Sequence, residues 1–177
     1  MKLTLEGIKD RKVWEEAGIS LPSYDVGAVA EATRKKPVWV HFGAGNIFRI
    51  FIGGIADVLI AQGVSDRGIT CAETFDFAVL EKIYRPYDNL VLGVTIKADG
   101  STDKKVIGAL TEALKAQAGD TEDWKRLKDI FADPGLQIAS FTITEKGYAL
   151  KGADGAYFPF IQADIDKGPE KAVSAMA

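Results

Sequence analysis

A glycine turn is the feature of this sequence that most resembles a binding site. Gly43-Ala44-Gly45 follows the short apolar run Val38–Phe42 and precedes apolar residues at helical spacing. Gly43 would let the chain turn sharply, and Gly45 has no side chain to hold an anion away from the backbone. The N–H groups of residues 46–48 would then point at the anion, with the helix dipole behind them. This position between a strand and a helix is typical of the phosphate loop of a dinucleotide-binding fold.

Of the residues after the turn, Arg49 supports a phosphate site, whereas Asn46 and Phe48 can be interpreted in more than one way. The full G-x-G-x-x-G pattern is absent, because Phe48 stands where the third glycine would be, and Asn46 could be only a helix N-cap. A cation in the first turn of a helix, such as Arg49, is disfavoured by about 0.3–1 kcal/mol. Arg49 is easier to understand if its planar guanidinium meets a phosphate. Alternatively, it reaches out to solvent, Asp57 or Glu31.

An acidic residue ends the next predicted strand. In a dinucleotide-binding fold, Glu73 at that position would accept hydrogen bonds from the adenosine ribose hydroxyls and repel a 2′-phosphate. Its spacing from Gly45 is longer than the usual twenty or so residues. Asp76 is a competing candidate, and Glu73 could also be a solvent-facing loop carboxylate. No Lys or Arg follows until Lys82, so the sequence favours NAD over NADP.

A fourth predicted strand ends in hydroxyl and charged side chains. In an open sheet, ligands lie beyond the carboxyl ends of the strands, near the point where the strand order reverses. Thr144, Glu145 and Lys146 are therefore predicted to line the nicotinamide half of the cofactor site. An exposed Glu-Lys pair before a turn is also common.

Other catalytic chemistry finds little support in the sequence. His41 is the only histidine, and its position in the middle of a predicted strand would deny it access to substrate. We interpret it as a histidine of the core or the sheet edge. The lone Cys71 is interpreted as a small buried hydrophobe. No metal site, Cys–His pair or Ser–His–Asp set is predicted.

Composition limits the possible partners. The chain has 177 residues and a net charge of −3, which argues against a general nucleic-acid role. The cluster Arg34-Lys35-Lys36 is typical of a solvated helix end. The longest apolar stretch, Ile47–Ile60, is interrupted by Arg49 and Asp57 and is too short to span a bilayer. With no signal peptide recognised, the prediction is a cytoplasmic protein without a membrane partner, and its oligomeric state stays open.

The predicted elements alternate between helices and strands. Helices are predicted at 9–17, 26–35, 46–62, 77–83, 106–118 and 121–132, strands at 38–42, 69–73, 89–97 and 136–144, and a hairpin at 148–160. The first long helix should bury Phe48, Ile52, Ile55 and Leu59, and be capped by Gly63. The helix over 121–132 should have Thr121 as its N-cap and turn Trp124, Leu127, Ile130 and Phe131 inward.

This order predicts a Rossmann-like α/β fold. It would be an open, mostly parallel sheet with helices on both faces, plus a β-hairpin near the C-terminus. The predicted division is an N-terminal arm at 1–36, the NAD-binding domain at 37–160, and a linker at 161–177 that leads toward a further substrate domain.

Four stretches of the chain resemble the mannitol dehydrogenase family of long-chain polyol dehydrogenases, which includes the fructuronate reductases (mannonate oxidoreductases). These are Val40–Arg49, Leu21–Asp25, Thr142–Tyr148 and Pro159–Asp164. The family favours a glycine pair followed by an aromatic residue and an arginine, so Phe48 is expected where it stands. The resemblance carries over the cofactor positions Gly43, Ala44, Gly45, Asn46, Ile47, Phe48, Arg49 and Glu73, with Thr144, Glu145 and Lys146.

The resemblance implies a metal-free, NAD-dependent interconversion of a secondary alcohol and a ketone on a polyol or hexuronate. In the family a lysine acts as general acid/base and asparagines hold the substrate oxygens, and nothing in this chain matches them. The chain would thus be an NAD-binding domain without catalytic residues, inactive alone, whose substrate binds through a missing domain. The alternatives are a free-standing nucleotide-binding or redox-sensing module and a bare structural domain with a disabled site.

Overall fold

A computed structural model of the chain describes residues 1–119 and 121–168, except for the side chains of Glu145 and Lys146. The strands in the described residues are β1 (Ile19–Ser20), β2 (Trp39–Phe42), β3 (Ile69–Glu73), β4 (Val91–Ile96), β5 (Thr102–Ile107), β6 (Leu110–Lys115) and β7 (Ile138–Phe141). The α-helices are α1 (Arg11–Glu16), α2 (Val26–Lys35), α3 (Gly53–Ala61), α4 (Glu122–Ala132) and α5 (Pro159–Lys167). None of the helices described is both long and apolar enough to cross a membrane.

The main sheet is parallel, which confirms the predicted fold class. Its strand order is β6-β3-β2-β7, and every neighbouring pair runs in the same direction. The chain moves outward from β2 through β3 to β6, then returns to place β7 on the other side of β2. The strand order therefore reverses between β2 and β7, where an open α/β sheet forms its ligand crevice.

The predicted helix over 106–118 is wrong, since this segment forms the end of β5 and the whole of β6. Its apolar residues are buried along both strands, so their spacing fits a helix as well as a strand. Gly108 separates the two strands where a Cβ would lie 2.7 Å from Val26 Cγ2. Close packing at this glycine and pairing with neighbouring strands override the helical pattern.

The strand predicted at 89–97 exists as β4, but it lies outside the parallel sheet. It pairs antiparallel with β5, and β5 pairs with β1 to form a second, three-stranded sheet. Strand β1 comes from the predicted N-terminal arm, whereas strands β4 and β5 of this sheet lie between β3 and β6 in the chain. The turn predicted at Asp99-Gly100 joins its two long strands, with Gly100 at φ +83°.

The helix after the glycine turn begins with π-helical geometry over Ile47–Ile52 and continues as α3. A π-helical turn holds more residues than an α-helical turn, so the buried face moves along the sequence. Phe48 is fully buried as predicted, but Ile55 is 45% exposed and the buried face continues through Ala56 and Ile60. Gly63 follows the helix with φ +71°, as its predicted capping role requires.

Two other helices match their predicted bounds closely. Helix α2 spans the predicted residues, and α4 begins after Thr121, whose hydroxyl accepts a hydrogen bond from the Trp124 N–H at 3.2 Å. Leu127 and Ile130 are buried against the parallel sheet. Phe131, predicted to face inward, is 52% exposed, because it follows Ile130 by one residue and so lies about 100° around the helix.

The remaining predictions are met in part. The helix predicted at 77–83 is a π-helical segment, Leu80–Tyr84, and the fourth strand is shorter than predicted. The C-terminal hairpin is reduced to one antiparallel bridge between Lys151 and Tyr157, and Phe160 belongs to α5. Of the predicted linker, 161–168 is described and 169–177 lies outside the described residues.

His41 is a buried histidine of β2, as predicted. Its ring nitrogens lie 2.8 Å from Ser140 Oγ and 3.0 Å from Thr142 Oγ1, both on the β7 side. The ring stacks on Phe48 with 4.2 Å between centroids. Burial lowers the pKa of His41 to about 4, so the ring is neutral at physiological pH and joins β2, β7 and the following helix.

The His41 pKa predicts an acid-dependent loss of stability. The folded state binds the proton only near pH 4, whereas the unfolded chain binds it near pH 6.5. The contribution of neutral His41 to the free energy of unfolding is therefore complete above pH 6.5 and falls as pH drops toward 4, by up to about 1.4 kcal/mol per unit. Urea denaturation between pH 7 and 5 should show this slope, and His41→Gln should flatten it. An equal slope in both proteins would contradict the assignment.

Candidate cofactor site

A cleft opens at the carboxyl ends of β2, β3 and β7, where the strand order reverses. It is lined by residues 42–47 on the glycine turn, 73–74 at the end of β3 and 141–144 at the end of β7. The structure thus brings together three of the segments in which the sequence predicted site residues. Glu145–Tyr148 follows as a 3-10 turn.

The glycine turn is fixed at its first residue and open at its third. Gly43 has φ +115°, and a Cβ there would lie 2.6 Å from Thr142 Oγ1 and 3.0 Å from the Thr142 carbonyl oxygen. Its N–H donates to the carbonyl oxygen of Ala72 at 2.8 Å. Gly45 is exposed, and a Cβ there would meet no atom within 4 Å. The main chain at Gly45 therefore faces open space, so an anion could approach its N–H group closely.

Arg49 lies against the same turn. One of its guanidinium nitrogens donates to the carbonyl oxygen of Ala44 at 3.1 Å, and another donates to Asn46 Oδ1. Asp57 accepts instead from Tyr24 and from the Gly108 N–H. The charge of Arg49 is therefore held at the edge of the cleft by neutral partners.

Tyr84 also holds the glycine turn in place, a role that sequence reasoning missed. Its hydroxyl donates to the Ala44 carbonyl oxygen at 3.0 Å, and its ring lies 5.9 Å from the Arg49 guanidinium carbon. Burial raises the pKa of Tyr84, so the phenol stays a neutral donor. Burial also raises the pKa of Cys71 to about 12, which agrees with its interpretation as an unreactive core residue.

Glu73 joins the glycine turn to the end of β3. It is only 8% exposed, and its Oε2 accepts the Ala44 N–H at 2.9 Å. Its Oε1 accepts three further N–H groups, those of Thr74 and Phe75 at 2.9 Å and that of Asp76 at 3.2 Å. One carboxylate therefore holds two loops together, a contact that sequence spacing could not reveal.

The other predicted site residues differ in how their side chains meet the cleft. Asn46 and Ile47 are exposed in it, whereas the side chain of Phe48 is buried against His41. Only the main chain of Phe48 could therefore contribute to binding. Thr144 lines the opposite wall. Asp76 is exposed three residues beyond Glu73.

Within the part of the chain that the structure describes, no group of three or more His, Cys, Asp or Glu side chains could hold a metal ion. The cleft is lined by the glycine turn, by Glu73, by three threonines and by apolar residues, namely Phe42, Ile47, Phe141 and Ile143. Arg49 contacts Ala44 and Asn46 of this lining. The open main chain at Gly45 suits an anionic group such as a diphosphate.

Comparison with known proteins agrees with this geometry. No family model matches the chain. The D-mannonate oxidoreductase of Thermotoga maritima is 45% identical over 176 residues, which is 99% of this chain and 32% of that protein. The polyol:NADP oxidoreductase of Gluconobacter oxydans is 30% identical over 169 residues, 88% of this chain and 31% of that protein.

The resemblance to the mannitol dehydrogenase family is confirmed. Among solved structures, the mannitol 2-dehydrogenase of Pseudomonas fluorescens, in a ternary complex with NAD and D-mannitol, matches with a TM-score of 0.71 at 22% identity. That likeness covers 97% of this chain and 33% of that structure and shows the shared fold. The chain thus spans about a third of the length of the relatives it matches.

The same substitution is predicted to have very different effects on stability at the two glycines of the turn. Gly43→Ala places a Cβ against Thr142 in a left-handed backbone and should lower the free energy of unfolding by about 1–3 kcal/mol. Gly45→Ala meets open space and should change it by less than about 0.5 kcal/mol. Urea denaturation of both variants would measure this. Equal destabilisation would show that the turn has a different conformation.

Proposed function

We propose that this chain is the NAD-binding domain of a longer cytoplasmic oxidoreductase. The whole protein would interconvert a secondary alcohol and a ketone on a polyol or hexuronate, with D-mannonate and its ketone as first candidates, because the D-mannonate oxidoreductase has the higher identity of the two relatives compared. The main support for this proposal is the position of Gly45. Its main chain is open to the cleft, at the point where the strand order of the parallel sheet reverses. The relatives' threefold greater length favours this proposal over a free-standing sensor.

The diphosphate of NAD would bind at the glycine turn. Gly45 leaves room for its oxygens, and the helix that starts at Ile47 adds a favourable dipole. Arg49 would exchange part of its bonding to Asn46 and Ala44 for a phosphate oxygen. Ala44 and Asn46, which the guanidinium contacts, both line the cleft, so we expect this exchange to occur by rotation of the Arg49 side chain.

The two nucleosides would lie on opposite sides of the turn. In a sheet of this order, the adenosine lies toward β3 and the nicotinamide toward β7. Thr144, with Glu145 and Lys146 after it, would then border the nicotinamide. When bound, NAD would accept hydride from the substrate carbon, and this chain's residues would bind and orient the cofactor. The groups that move the substrate's proton would lie in the rest of the protein.

The two acidic residues at and after the end of β3, Glu73 and Asp76, would have different roles in the site. Glu73 was predicted to bind the adenosine ribose, but its carboxylate already accepts four main-chain N–H groups. A direct ribose contact would have to share the Oε2 atom with the Ala44 N–H. We infer that Glu73 acts mainly by holding the two loops, and that the exposed carboxylate of Asp76 accepts the ribose hydroxyls and repels a 2′-phosphate.

Titration with NADH tests the proposed function directly. NADH should bind the chain, as followed by nicotinamide fluorescence, and Arg49→Ala should weaken binding by about 1–3 kcal/mol through loss of a charge-assisted hydrogen bond. Gly45→Ala, whose fold should be intact, should weaken it as well because its methyl group occupies diphosphate space. Absence of binding at millimolar NADH would reject the proposal, and an unchanged dissociation constant for Arg49→Ala would remove that residue from the site.

Asp76 is predicted to set the preference for NADH over NADPH. Asp76→Asn removes the charge that would repel a 2′-phosphate, so NADPH should bind several-fold tighter relative to NADH. Asp66→Asn is a matched control, since Asp66 is an exposed carboxylate before the amino end of β3. Dissociation constants for both cofactors would be measured at fixed ionic strength. If both variants change the ratio equally, the effect is one of net charge and Asp76 does not contact the ribose.

A further inference from the structure

Phe75 stands out among the apolar side chains of the described residues. It is 93% exposed, more than any other large hydrophobic residue there. A single exposed phenylalanine is common on protein surfaces and by itself means little. Phe75, however, immediately follows Glu73 and Thr74, which both line the cleft.

The backbone that carries Phe75 is held in place. Its N–H donates to Glu73 Oε1 at 2.9 Å, and the N–H groups of Thr74 and Asp76 donate to the same oxygen. The other oxygen of that carboxylate accepts the Ala44 N–H of the glycine turn. The aromatic ring is thus attached to a short turn whose position is fixed relative to the proposed diphosphate site.

The adjacent strand end combines a lysine with small side chains. Lys115 is paired with Glu73, and the Ala116 N–H donates to the Glu73 carbonyl oxygen at 2.7 Å. Ala116 is buried, and Ala118, two residues on, is half-buried. Lys115 is ion-paired with Glu81 and Gln117 is exposed, so the small side chains after β6 are those of the two alanines.

We propose that the Phe75 ring stacks on the adenine of the bound dinucleotide. This inference rests on the proposed function and assigns the recognition of one part of the cofactor. Phe75 lies on the β3 side of the glycine turn, where the adenosine belongs in a sheet of this strand order. An aromatic ring and a base stack through their flat faces, and both remove apolar surface from water. Stacking also explains why an anchored turn presents phenylalanine to solvent.

The test compares ligands that contain adenine with one that does not. ADP-ribose carries adenine and the diphosphate but no nicotinamide, and reduced nicotinamide mononucleotide carries no adenine. Phe75→Ala should weaken ADP-ribose and NADH by about tenfold and leave any binding of the mononucleotide unchanged. Phe75→Tyr, which keeps the ring, should stay within about twofold of the wild type. Calorimetry would give the affinities.

Three further measurements separate stacking from other effects. Phe51 is 65% exposed on the helix after the turn. Neither neighbour of Phe51 in the chain lines the cleft, whereas Phe75 follows the lining residue Thr74, so Phe51→Ala should bind ADP-ribose like the wild type. In Phe75→Trp, ADP-ribose should quench indole fluorescence beyond the change seen with the wild type's own three tryptophans. The melting temperature of Phe75→Ala should be unchanged, because the ring buries little surface in the free protein.

The outcomes distinguish this inference from the proposed function. If the wild type binds ADP-ribose and Phe75→Ala binds it equally well, stacking is refuted and the cofactor site stands. Equal losses in Phe75→Ala and Phe51→Ala would likewise refute it. If the wild type binds neither NADH nor ADP-ribose, the cofactor site itself is refuted, and the exposed Phe75 would then point to cover by another part of a longer protein.

Discussion

The geometry of the cleft depends on the Glu73 carboxylate and the four main-chain N–H groups that it accepts. A buried carboxylate is costly unless every oxygen is hydrogen-bonded, and here the donors come from two different loops. Neither loop has a helix or strand partner at these N–H groups, so the carboxylate supplies the acceptors that regular structure would supply elsewhere. Its removal would leave the buried Ala44 N–H and three part-buried N–H groups after β3 without this acceptor, and the two loops would lose their fixed relation.

A second contact fixes the same turn from the opposite side. His41 bonds to Ser140 and Thr142, and Thr142 packs directly on the hydrogen atoms of Gly43. The neutral state of the histidine matters here, since a protonated ring would have no lone pair to offer either hydroxyl. Between these two supports only the main chain from Gly45 onward is left open to the cleft. The proposed ligand site is thus the space between Glu73 on one side and Thr142, held by His41, on the other.

The sequence was sufficient where the structural signal is local. Strands β2 and β3 and helix α2 have dense apolar runs or clear caps, and the position of the glycine turn between strand and helix placed the cleft correctly. Prediction failed over 106–118 because Val106, Leu110 and Ala113 are buried by partners far away in the chain. With apolar residues buried on both faces, the two-residue period of a strand disappears.

In the candidate site, too, local features could be predicted from the sequence and long-range contacts could not. The residues of the turn itself were predictable, because their backbone requirements exclude most residue types. The roles of Glu73 and Tyr84 were not, because each depends on a long-range contact with Ala44. Likewise, the buried face beyond Phe48 continues through Ala56 and Ile60 instead of Ile55 because the helix starts in π-helical geometry, a feature that amphipathic spacing does not indicate.

This arrangement separates what holds a dinucleotide from what distinguishes one dinucleotide from another. Binding the diphosphate needs main-chain donors in a fixed conformation, and the residues that fix it, namely Gly43, Glu73 and Tyr84, are buried or sterically constrained. Discrimination needs side chains that reach the ligand, and Phe75 and Asp76 are exposed on the anchored turn. In the proposed site, a substitution of Asp76 would therefore alter the preference between NADH and NADPH, and one of Phe75 the affinity for both, with little effect on folding. Substitutions at the buried positions would affect folding as well as binding.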